Sequence, residues 1–247
     1  MTWKRIVEEN HESRNLALVQ GHHYFTHHVP VVLQHGPTCG IAALTALTLE
    51  REAANTDFVN TANELLSVAI STGISSQGEL MSVHYMSQMC GYASLPHQIV
   101  RVCADTDLGE LLQDSVLLMI YDKDKNNEPA TKYGGERAHW LMITGFCNKP
   151  SRNSRSGVLV TSQRVNIALQ PSNSYSKTRG SSTDKAAELH VFVQHGKSRL
   201  RQLWRWSDIL ASNETVRRAK PGTWVLPDNL HQHVAGLAVR VMLKHFQ

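Results

Sequence analysis

The sequence predicts an α+β domain. Helical signals crowd the first half of the chain and strand signals the second, an order that sets helices against one side of an antiparallel sheet. The composition agrees: 41% apolar and 19% charged residues describe a globular protein. Its 247 residues are enough to bury a sizeable core.

The elements follow in order. Residues 1–30 are expected to form an N-terminal arm, with an amphipathic start and histidines at His22, His23, His27 and His28. Residues 31–247 are expected to form one domain, with a variable basic insertion over 148–188. Val31-Val32-Leu33 is a short apolar approach. Cys39 to about Ala54 reads as a helix apolar on several faces. A second helix is expected over Asp57–Ile70, closed by Gly73. Ser75 to Glu79 reads as the cap of a third, running through Met89 and ending at Gly91. Gln98–Val102 is a strand and Asp107–Gln113 a short helix, with Asp105 or Thr106 as its expected cap. Val116–Tyr121 is a buried strand, and Asp122–Gly135 a polar loop. Strands are also expected at His139–Gly145, Val158–Thr161, Val165–Leu169, Leu189–Val193, Gln202–Trp206, Trp224–Leu226 and Ala235–Leu243, with a short helix at Ser207–Ala211. Trp204, Trp206 and Trp224 are expected in the core.

Charge and cysteine usage exclude several classes. The formal charge is +4, but Asn148–Ser182 holds six positive charges and no acidic residue, so the remainder is net negative. That segment reads as a solvated loop, because the aromatic interleaving of a nucleic-acid surface is missing. No apolar run is long enough to span a bilayer, so no membrane association is expected. The first ten residues lack the apolar centre of a signal peptide. Cys39, Cys90, Cys103 and Cys147 show no paired spacing, which suits free thiols in a reducing, cytoplasmic compartment. The last three read as buried. His23 and His27 have helix-like ligand spacing, but β-branched neighbours argue against a helix there, so neither metal nor cofactor is expected.

The chemically loaded stretch is Gln34-His35-Gly36-Pro37-Thr38-Cys39-Gly40-Ile41-Ala42-Ala43-Leu44. A turn ends, and a cysteine opens a buried helix, where the N-terminal dipole favours a thiolate. Gln34 can set its amide beside the Cys39 backbone N–H, and the two would hold an oxyanion. A hundred residues on, Arg137-Ala138-His139-Trp140 puts a histidine at the head of an apolar strand. Cysteine before a distant strand-borne histidine is the order of papain-like cysteine proteases. The C-G-[SA]-C-[WY] run of papain itself is absent. His139 is the expected base. Gln194 or His195, in the loop after the next strand, is the expected group that orients it. Asp122, Glu128 and Lys132 are expected along the substrate groove, and Trp140 is expected to bind substrate as well.

The chain resembles the actin maturation proteases. The matching stretches are Gln34–Ala43, Gly78-Glu79, Leu117–Asp122, Asn127-Glu128-Pro129, Ala138-His139-Trp140 with Gly145, Gly196-Lys197-Ser198 and Gln202-Leu203-Trp204. The resemblance implies a papain-like fold and an aminopeptidase that removes an N-acetylated cysteine or acidic first residue from immature actin. It implies actin as the protein partner. Relatives can carry a proline-rich arm suited to profilin, whereas residues 1–30 hold one proline, Pro30, so a profilin contact is not expected. Two other readings compete: a thiol hydrolase of another substrate, such as a deubiquitinase, and an inactive actin-binding module.

Overall fold

Helix α1, Cys39–Glu52, is built to be surrounded. Ile41, Leu44, Ala46, Leu47 and Leu49 are all buried, and the hydroxyls of Thr45 and Thr48 donate to the carbonyls of Ile41 and Leu44. Turning those hydroxyls back onto their own helix lets polar residues sit in an apolar layer without unpaired groups. The computed structural model describes residues 4–6, 24–52, 57–147, 189–222 and 224–243.

Helices α2 (Phe58–Ser71) and α3 (Val83–Tyr92) pack beside α1. Asp57 caps α2 by accepting from the N–H groups of Val59 and Asn60, and Ser82 caps α3 through His84 N–H. The third helix therefore starts later than expected. Ser75 to Glu79 is not its cap but a separate loop. A fourth helix, α4 (Leu108–Leu112), is capped by Asp107 itself. Thr106, one of the expected caps, instead accepts from the N–H of Cys103.

All strand pairings are antiparallel. The small sheet joins β1 (Lys4–Ile6) to β3 (Val31–Leu33). The large one runs β4 (His97–Arg101), β9 (Leu237–Met242), β5 (Ser115–Asp122), β6 (Ala138–Cys147), β7 (His190–Gln194) and β8 (Gln202–Arg205). Strand β2 (Tyr24–Thr26) adds to β6 along residues 145–147, beyond the stretch that β5 occupies. Tyr24–Thr26 thus extends the large sheet, while Lys4–Ile6 pairs with Val31–Leu33. Helix α5 (Trp206–Glu214) follows β8 directly, so Trp206 opens a helix rather than ending a strand. A 3-10 turn at His231–His233 precedes β9. Trp224–Leu226 is not a strand. The strands expected at Val158–Thr161 and Val165–Leu169, and the basic stretch around them, lie outside the described residues.

Alternation along the strands divides the core in two. Val116, Leu118 and Ile120 of β5, with Trp140 and Met142 of β6, meet α1, α2 and α3. Leu117, Met119 and Tyr121, with Leu141 and Ile143, meet β7, Trp204, Trp206 and the helices α4 and α5. Burying Trp140 alone contributes roughly 4–6 kcal/mol of apolar transfer energy before entropic costs. Trp204 and Trp206 are core residues as expected. Cys103 is exposed, while Cys90 and Cys147 are buried, and all four cysteines are unpaired. Among the described residues no helix is long and apolar enough to cross a membrane.

Candidate active site

The turn before α1 is locked by one residue. The hydroxyl of buried Thr38 donates to His35 O and accepts from His35 N–H, while Thr38 O accepts from Ala42 N–H in the first turn of the helix. This presents Cys39, half-buried, at the helix N-terminus. The next residue is a glycine in a tight position. A Cβ on Gly40 would lie 2.9 Å from Leu80 Cδ1, 3.0 Å from Met86 Cε and 3.2 Å from Trp140 Cδ1. The helix start is thereby pressed onto the sheet, and Trp140 Nε1 donates to Leu80 O at 2.6 Å.

A cleft of about 850 Å³ opens at this end of the sheet. Gln34, Cys39, His139 and Trp140 all line it, and so do Lys197 and Lys123. Trp224, expected in the core, lines the cleft as well. Its flanks carry charges of both signs, with Glu79, Asp124 and Glu136 facing Arg137, Lys125 and Lys220.

His139 is the second residue of β6 and only 3% exposed. Its neighbour Trp140 packs towards the helices, so His139 points to the opposite face of the sheet. There it stands against Tyr121, its partner in the β5–β6 register, with ring centroids 5.9 Å apart. The ring of His195 lies edge-on at 5.5 Å. His195 in turn stacks on Trp204 at 5.8 Å, and Trp204 closes the box on Tyr121 at 5.4 Å. His139 Nε2 is buried and, among the described residues, has no hydrogen-bond partner.

Burial dominates the electrostatics of both groups. It pushes the Cys39 thiol up, against the pull of the backbone N–H groups around it and of the Lys197 charge. It holds His139 well below an ordinary imidazole, reinforced by the charges of His195, Lys197 and Lys123. His195 is likewise held down to about 4, chiefly by burial, with the Gln202 side chain partly opposing. Burial therefore favours a neutral thiol at Cys39 and a neutral imidazole at His139. The thiolate expected from the helix dipole alone does not outweigh the loss of water.

The two groups expected to orient the base separate cleanly. Gln194 Nε2 donates to Pro30 O at 2.7 Å, so its amide serves the segment leading to Gln34. His195 is the one that stands beside His139. Gln34 packs on the same turn: its N–H donates to Gly196 O at 2.8 Å. Its side-chain amide donates to Gly36 O at 2.6 Å, leaving a buried Oε1 without a partner.

Three groove residues sit elsewhere. Asp122 is fully buried and does not line the cleft. Its carboxylate accepts from Tyr133 N–H at 3.0 Å and Arg137 N–H at 3.2 Å, which holds the loop entering His139. Glu128 is also away from the lining. Its backbone pairs with Asp124, whose carboxylate accepts the Glu128 N–H. Lys132 lies over the Tyr133 ring. Sequence reasoning missed Tyr121, Glu79 and Lys197. Glu79 is 3% exposed and accepts from the Ser75 hydroxyl and from the N–H groups of Ser76, Gln77 and Val225, tying two loops together. The signal for Tyr121 was the strand pair itself, since two strands joined by one loop fix who faces His139. Among the described residues no group of three metal-ligating side chains occurs.

A sheet that carries a histidine, packed on a helix that begins with a cysteine, is a papain-like arrangement. The family model described as "Actin maturation protease-like, C-terminal domain" matches residues 29–147. A Danio rerio protein named actin maturation protease is 28% identical over 236 residues, covering 90% of this chain and 74% of its own length. Its Xenopus tropicalis namesake is 26% identical over 207 residues, 80% of this chain and 64% of that one. A Homo sapiens protein of the same name is 32% identical over 124 residues, 47% and 34% of the two chains. No solved structure matches. The chain is thus similar to actin maturation proteases over most of its length, and the family model covers its N-terminal helices and the first strands of the large sheet.

Proposed function

We propose that this chain is a cysteine aminopeptidase that removes the N-acetylated first residue, cysteine or acidic, from immature actin in the cytoplasm. The observation that carries the reading is the convergence of Gln34, Cys39 and His139 on one cleft. The named function of the relatives supports actin as substrate.

Cys39 Sγ attacks the scissile carbonyl as His139 takes the thiol proton, so neither group must be charged beforehand. This suits the neutral pair that burial favours. The tetrahedral oxyanion forms beside the Cys39 N–H and the Gln34 amide. His139 then protonates the leaving amine, and water that it activates hydrolyses the acyl-enzyme. His195 orients the base through ring packing, with Tyr121 on the other side.

The test is incubation of the protein and its Cys39→Ala variant with folded actin and with N-acetylated actin-like peptides, read by mass spectrometry. Loss of the acetylated residue with the wild type only is the expected result. Cleavage of ubiquitin conjugates but not of actin would select a different thiol hydrolase. Binding of actin without cleavage by either protein would select a binding module.

A further inference from the structure

The segment Gln194-His195-Gly196-Lys197 spends each residue on a different part of the site. Gln194 holds Pro30, His195 meets His139, and the Gly196 carbonyl accepts from Gln34 N–H. Gly196 lies close against Gln34: a Cβ would crowd it at 3.0 Å from Gln34 Cβ, 3.2 Å from its Oε1 and 3.3 Å from its N. The backbone that follows is therefore fixed against the oxyanion side of the cleft. The Lys197 N–H also points back to His195 Nδ1, at 3.3 Å. Lys197 is exposed, yet its side chain lines the cleft with Cys39 and His139. Among the described residues no carboxylate forms an ion pair with it.

We propose that Lys197 is a working residue of this site, its backbone set by the Gly196 turn and its ammonium in the cleft it shares with Cys39, where it stabilises the negative charge that Cys39 acquires. Asp124, Glu136 and Glu79 are the acidic groups of the same cleft, and Lys123, Arg137, Lys125 and Lys220 the other cations. The Lys197 charge acts to lower Cys39 against its burial, and Lys123, deeper in the same cleft lining, is the other cation that interacts with Cys39. The Gly-Lys-Ser stretch then has a physical reason: glycine to approach Gln34, lysine to face the sulfur. The proposal rests on Cys39 being the nucleophile, and not on which protein is cleaved.

Alkylation of Cys39 tests it without a substrate. The thiolate displaces iodide from iodoacetamide or iodoacetate: an S–C bond forms, the C–I bond breaks, and the thiol proton goes to solvent or His139. The wild type, Lys197→Met and Lys197→Arg are compared across pH, with the modified residue identified by mass spectrometry. In Lys197→Met the rise of the rate with pH should move up by roughly half a pH unit, an effect kept small by solvent screening. The preference for anionic iodoacetate over neutral iodoacetamide should fall about two- to threefold, and added salt should erase the difference. Lys197→Arg should restore both. Equal profiles and equal reagent preference in wild type and Lys197→Met would overturn the role of Lys197. No alkylation of wild-type Cys39 at any pH would overturn Cys39 as nucleophile instead.

Discussion

The two walls of the cleft are built by different means. The Cys39 wall is local: Gln34 to Gly40 is seven consecutive residues, locked by Thr38 and pressed down by a glycine. The His139 wall is assembled from three strands and a turn, with Tyr121, His139, His195 and Trp204 spread over more than eighty positions. One wall is an anchored turn that places Cys39, the proposed nucleophile. The other is a box of buried rings that keeps His139, the proposed base, neutral. The difference teaches that precision at the nucleophile can be written in a short motif, whereas the environment of the base needs the whole sheet.

The sharpest break of the comparison is removal of the base itself. His139→Ala should lower kcat/KM about 10²–10⁴-fold, the usual range for a general base. Thermal unfolding should show the fold intact, because among the described residues the ring makes no hydrogen bond at Nε2. A variant with near-normal kcat/KM would mean that the box holds a structural histidine only. On the other wall, Gln34→Ala should cost about 10²–10³ in kcat with little change in KM, since the amide serves an oxyanion absent from the bound substrate. An increase in KM alone would reassign Gln34 to substrate binding.

The two walls were also unequally legible in advance. Cys39, Gln34 and the start of α1 could be read from sequence because turn, cap and apolar run lie side by side. His139 was legible from its strand. What surrounds it was not, because the register that pairs Tyr121 with His139 and brings His195 onto Trp204 is a property of strand pairing at long range. Asp122 misled for a related reason. A carboxylate beside a catalytic strand looks like a groove residue, but backbone N–H groups from Tyr133 and Arg137 consume it. Cap positions were displaced by a few residues at α3 and α4, where several Ser, Thr and Asp side chains competed for the same role and only packing decides.

The box itself predicts a pH effect on stability. In the folded protein His195 is held to about 4 by burial, against an ordinary value of 6.5. Above 6.5 both folded and unfolded chains keep it neutral, and the shift contributes nothing to the pH dependence. As pH falls below 6.5 the unfolded chain takes up a proton that the folded one refuses, so stability is lost until about pH 4. The loss is on the order of 3 kcal/mol. His195→Phe keeps a ring on Trp204 and removes the titration. Urea unfolding near pH 7 and near pH 4 should therefore show a smaller difference in the variant by about that amount. An equal difference in both proteins would show that His195 can be protonated in place, and that the box is wetter than its burial implies.

The smallest effect is expected where the walls are joined. Gln194 donates to Pro30 O and so links the strand behind His139 to the segment ahead of Gln34. Gln194→Ala deletes that bond, which is ordinarily worth about 1 kcal/mol. It also deletes a buried Oε1 that has no partner, and so relieves a cost already present in the wild type. The net destabilisation should therefore fall at or below about 1 kcal/mol in urea unfolding. Activity should fall far less than in Gln34→Ala, because the bond from Gln34 N–H to Gly196 O still ties the two walls together. If kcat instead drops as far as in Gln34→Ala, the Pro30 contact, and not the Gly196 turn, is what sets the position of the oxyanion glutamine.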